Sequence, residues 1–171
     1  MRAFILAALL MSGAAAEGAP AKWGSVYTGV APKDCIEIAK TGENTEGDFY
    51  EAECASYGGY RLRIGGSDLR YHPNLQFGGE PIQMSLPGSF HDMGSDYAEW
   101  LYSASREADG GGALEWRALI FRLKVSNPEG GTDRSVLYVV RLNGPRSCLL
   151  GEASSNDEAR ALGQNLDAPC Q

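Results

Sequence analysis

Histidine is almost missing from this 171-residue chain: only His72 and His91 occur. They lie too far apart in sequence to make a zinc signature. The four cysteines include no C-x-x-C and match no zinc spacing. No G-x-S-x-G nucleophile elbow is present. After residue 16 no run is apolar enough to span a membrane, which needs roughly 20 residues. No repeat of fixed period is visible. Basic residues are in deficit, with 15 Lys and Arg against 22 Asp and Glu. That balance argues against general nucleic-acid binding, which rests on neutralising phosphates with Lys and Arg. No cofactor or metal is expected.

What is there begins with a leader pattern. Met1-Arg2 is basic, Ala3 to Met11 is apolar, and Ala14-Ala15-Ala16 fits an A-x-A cleavage site. Residues 1–16 are therefore expected to be a signal peptide, and 17–171 a single periplasmic or secreted domain. No cysteine sits at the cleavage point, which argues against a lipid anchor. Without Arg2 the charge is near −8, suited to a soluble, monomeric protein. In an oxidising compartment the cysteines should pair. Three pairings are possible. The local one, Cys35 with Cys54 and Cys148 with Cys170, is expected, each bridge contributing on the order of 3 kcal/mol.

The patterning is mostly that of strands. Extended segments are expected at Ser25–Val30, Cys35–Ala39, Phe49–Ala55, Tyr60–Ile64, Leu69–Tyr71, Leu114–Val125, Ser135–Leu142 and Ser147–Leu150. Tyr97–Ala104 fits either a strand or a short helix, and its aromatics favour the strand. Phe49–Ala55, Tyr60–Ile64 and Leu69–Tyr71 suggest a meander. Tyr60, Leu62 and Ile64 point one way, Arg61 and Arg63 the other. Ser135–Leu142 is apolar on both parities and should be a central strand. Arg117 falls on the parity of Leu119, Phe121 and Leu123. The segment from His72 to Ser95 holds three prolines and reads mainly as loop, with Ile82 to Leu86 and Phe90 packing. Near the C-terminus the period changes. Ser155 with Glu158 makes a capping box, and Ala159, Leu162, Gly163 and Leu166 follow helical spacing. Gly163 on that face permits close approach to the sheet. The expected class is α+β: mainly antiparallel sheet, a C-terminal helix, and disulfide staples.

Several short motifs together resemble an uncharacterised family of exported proteins found mainly in alphaproteobacteria. They are Val26-Tyr27-Thr28 with Asp34-Cys35, Cys54 followed by Tyr57-Gly58-Gly59-Tyr60, Asp68-Leu69-Arg70, Glu115-Trp116-Arg117, Gly144-Pro145 with Cys148, and Asn156 to Leu162. The resemblance covers nearly the whole mature chain. It implies export and paired cysteines, and it transfers no catalytic residue.

Two chemistries deserve weighing. His91-Asp92 lies near Ser89 and Ser95, so a Ser-His-Asp arrangement within His72–Ser95 would make an envelope hydrolase. Against it stands a face bearing Arg61 and Arg63, with Arg70 on the next strand, as a possible ligand site. Guanidinium groups bind carboxylate or phosphate bidentately. The plainer account of those arginines is cross-strand pairing with Glu51 and Glu53. Tyr57, Tyr60, Tyr71, Tyr97, Trp100, Tyr102 and Trp116 could form a ligand platform, but core packing is the plainer expectation, above all for Trp100 and Trp116. The favoured reading is a non-enzymatic binding module of the cell envelope whose partner is a protein or envelope component. An envelope hydrolase and a structural envelope protein are the rivals.

Overall fold

A computed structural model describes residues 22–41, 49–67, 70–90, 96–106, 112–127 and 130–171. The strands are β1 Lys22–Gly29, β2 Cys35–Lys40, β3 Phe49–Cys54, β4 Tyr60–Ser67, β5 Arg70–Phe77, β6 Glu80–Pro81, β7 Tyr97–Arg106, β8 Gly112–Val125, β9 Arg134–Arg141 and β10 Cys148–Ala153. One helix, α1 Asn156–Gln164, follows. The leader at 1–16 lies outside the described residues. No helix among the described residues is long and apolar enough to cross a membrane.

The mainly antiparallel sheet structure and the C-terminal helix are present, and the described strands form two five-stranded antiparallel sheets. Sheet A has the order β1-β7-β8-β9-β10, and sheet B the order β2-β3-β4-β5-β6. This corrects the simple α+β reading to a β-rich sandwich with a helix behind it. Alternation along a strand shows that one face is covered, but not whether a second sheet or a helix covers it.

The main core lies between the sheets. Leu62, Ile64 and Leu75 from sheet B meet Trp100, Leu119, Phe121, Leu123, Tyr138 and Val140 from sheet A. Behind sheet A, Leu101, Ala118, Ile120, Leu137 and Val139 pack against Ala159 and Leu162. Sheet A is thus the middle layer, which is why β9 is apolar on both parities. Thr28, nearly fully buried, links the layers: its hydroxyl donates to the Ala55 carbonyl at 2.9 Å and accepts from Trp100 Nε1 at 3.0 Å.

Three local features depart from the sequence reading. First, β5 runs on through Pro73 to Phe77 instead of stopping at Tyr71. Proline lacks a donor, but β6 pairs only with Gln76 and Phe77, so Pro73 stands on an open edge where none is required. Second, β10 continues to Ala153. Third, β8 bulges: Leu101 pairs with Ala118 and Tyr102 with Trp116, leaving Arg117 unpaired. The bulge turns Trp116 toward the inter-sheet core, where it stacks on Tyr57 at 4.7 Å. Arg117 turns the other way and donates to Ser103 Oγ at 3.0 Å, so it does not share the face of Leu119 and Phe121.

The stretch 82–90 closes one side of the sandwich. Ile82 and Phe90 are buried, the Phe90 N–H bonds to the Tyr71 carbonyl, and Ser89 exchanges both backbone bonds with Lys124. Both disulfides pair locally, Cys35–Cys54 and Cys148–Cys170.

Candidate functional site

The outward positions of sheet B build a small grid. Strand alternation buries Ala52, Cys54, Leu62, Ile64 and Leu75, so their neighbours face away from the core. Glu53, Arg63 and Asn74 form one row across β3, β4 and β5. Glu51, Gly65 and His72 form the next, and Phe49, position 67 and Arg70 the third. The centre of the grid is a glycine. With no side chain at Gly65, a concavity of about 590 Å³ opens over Gly65 and Gly66, ringed by Phe49, Glu51, Arg70, His72 and Asn74. Beneath its floor, Tyr50 and Tyr71 meet edge-on at 5.5 Å. Burial, reinforced by Glu37 and Tyr71, raises the Tyr50 phenol above its ordinary pKa.

The three arginines singled out from the sequence share this face but differ in circumstance. Arg63 Nη1 lies 3.1 Å from Glu51 Oε1, and its Nε lies 3.3 Å from Glu53 Oε2. It is held by the cross-strand pairs that the alternating charges suggested. Arg61 pairs in register with Gln76, and by register it stands about 20 Å along the strand from Arg70. Arg70 lines the concavity and has no hydrogen bond or ion pair among the described residues. Arg122 and Arg141 belong elsewhere: they bond to Asn156 and to the Ala168 carbonyl on the helix side of sheet A.

Phe49, Gly65 and Asn74 join the site only through the sheet register, and His72, which bounds the segment weighed as a hydrolase, lies on this face instead. The signal was present as alternation at positions 70, 72, 74 and 76, masked by Pro73. Of the proposed hydrolase segment, Ser89 is engaged in the closing strap, while His91, Asp92 and Ser95 lie outside the described residues. No hydroxyl or thiol occurs among the described lining residues of the concavity. Among the described residues, no group of three His, Cys, Asp or Glu side chains is placed to hold a metal.

Chemically, the concavity offers a strong donor in Arg70, an amide in Asn74, an imidazole in His72, a carboxylate in Glu51 and an apolar ring in Phe49. These groups lie on the outward face of sheet B in a disulfide-stapled sandwich. No family model, curated protein or solved structure matches the chain.

Proposed function

We propose that this is an exported, non-enzymatic binding module that takes an envelope component on the outer face of sheet B. The observation behind this reading is the concavity over Gly65, ringed by Phe49, Glu51, Arg70, His72 and Asn74, with Arg70 unpaired among the described residues. Binding sites are typically concave, with a few polar groups aimed inward. The leader pattern, the paired cysteines and the resemblance to exported proteins support the location. The acidic composition and the absence of a membrane-spanning helix among the described residues are compatible with it.

The test is retention of envelope material by the oxidised protein, immobilised through its N-terminus. Wild type is compared with Gly65→Val, which fills the concavity. A Cβ at position 65 comes within 3.1 Å of the Asn74 amide nitrogen, a flexible group that can give way. The expected result is a component held by wild type and lost by the variant, with an unchanged thermal unfolding transition. Equal retention by both proteins, or release of a cleaved product, overturns the reading.

A further inference from the structure

We infer that the concavity over Gly65 receives a sugar ring carrying a carboxylate. This rests on reading the outer face of sheet B as the binding surface, and it adds the ligand's chemical class. The register sets the dimensions. Two strand spacings separate β3 from β5, so the aromatic wall and the polar wall stand about 10 Å apart across the glycine floor. That width admits one pyranose ring lying flat.

The walls differ in character. On the β3 side Phe49 is 45% exposed, a large apolar ring that the core does not cover. The C–H face of a sugar is apolar and can cover it, removing exposed aromatic surface from water. On the β5 side Arg70, His72 and Asn74 stand in a row at every second residue, all exposed, their side chains making no hydrogen bond among the described residues. Arg70 is the cation best matched to a carboxylate, which it grips with two parallel bonds. The amide of Asn74 both donates and accepts, as vicinal hydroxyls require. Glu51 supplies a further acceptor. Its charge is offset in part by Arg63, which it shares with Glu53 at 3.1 and 3.3 Å, so Arg70 must supply the attraction for an acidic ligand.

A phosphate alone would use Arg70 but leave Phe49 uncovered, and an aliphatic ligand would leave the three polar groups without partners. An acidic sugar uses both walls.

The probe is a galacturonic acid oligomer, titrated calorimetrically into the mature, disulfide-intact protein at low salt, with an uncharged glucose oligomer as the comparison. Saturable binding of the galacturonate oligomer is expected, at least tenfold tighter than that of the glucose oligomer, and weakening as salt rises. Arg70→Gln should weaken it by about tenfold or more, the size of a lost hydrogen bond to a charged group. Phe49→Ala should weaken it by about threefold to tenfold, as for a lost aromatic contact. Gly65→Val should abolish it. Equal affinity for both oligomers overturns the acidic class. Binding to neither, while Gly65-dependent retention of envelope material persists, overturns the sugar but leaves the binding face standing. Galacturonate binding that survives Gly65→Val, Arg70→Gln and Phe49→Ala overturns the site itself.

Discussion

Tyr138 shows how far a single side chain's behaviour depends on its surroundings. In sequence it is one aromatic among the residues of an apolar strand. In the fold its ring is buried between the sheets, and its hydroxyl donates to Glu152 at 3.1 Å, with the Pro87 carbonyl at 3.2 Å. Burial first, then the bond to Glu152 and its charge, push the phenol up to about 12; Arg134 opposes this weakly. The neutral form is thus the one the fold favours. The resulting stability is present in full below the ordinary tyrosine pKa of about 10 and is lost as pH rises toward 12. Urea midpoints at pH 9 and pH 11 should show a drop in wild type that is clearly smaller in Tyr138→Phe. Equal drops in the two proteins would show that another group is responsible.

At the level of elements, α1 and its seat on sheet A were legible because local chemistry announces them. Ser155 accepts from the Glu158 N–H at 3.2 Å, as a capping residue should. The Glu158 carboxylate reaches one residue further back than the motif implies, accepting from the N–H and hydroxyl of Ser154 at 2.8 and 2.7 Å. Those bonds hold its pKa below the usual carboxylate value. Arg160 clasps the half of the helix near β1: its Nε lies 2.8 Å from Glu99 Oε1, and its Nη2 donates to Tyr27 Oη. Gly163 sits against the sheet, where a Cβ would come within 2.9 Å of Leu101 Cδ1 and 3.0 Å of Ala118 Cβ. Gly163→Val should therefore cost about 1–3 kcal/mol by overpacking. Chemical denaturation measures it, and an unchanged midpoint would mean that the helix can lift from the sheet freely. The β8 bulge was not legible. Nothing in Glu115-Trp116-Arg117 distinguishes a bulge from a regular strand; the large ring fits only on the inter-sheet side, and that space exists only after the sheets have met.

For the whole molecule, the two disulfides staple different layers. Cys35–Cys54 ties edge strand β2 to β3, and Cys148–Cys170 holds the C-terminal tail against β10. The tail is held independently by the Gln171 N–H on the Leu149 carbonyl and by Arg141 on the Ala168 carbonyl. Removing Cys148–Cys170 by paired Ser substitutions should cost about 3 kcal/mol, mainly by freeing the unfolded chain. Amide exchange should accelerate in residues 165–171 while β4 and β5 keep their protection. Loss of protection throughout sheet B would instead mean that the sandwich unfolds as a single cooperative unit from this staple.

The chain's own sequence determined its strands, its capped helix and its local cysteine pairing. Those depend on side-chain period, on hydrogen bonds within a few residues and on short loops. Tertiary structure alone decided which faces became interior. Arg61, Arg63 and Arg70 alternate outward by sequence, but only the register across three strands pairs Arg63 with Glu51 and Glu53. The same register leaves Arg70 at the rim of an empty position. Pro73 read as a strand breaker because the missing donor matters only where a neighbour needs it, and the neighbour is set by the assembled sheet. The concavity over Gly65 has the same origin: a glycine in a strand is a gap only when the strands beside it bring Phe49 and Arg70 to its edges.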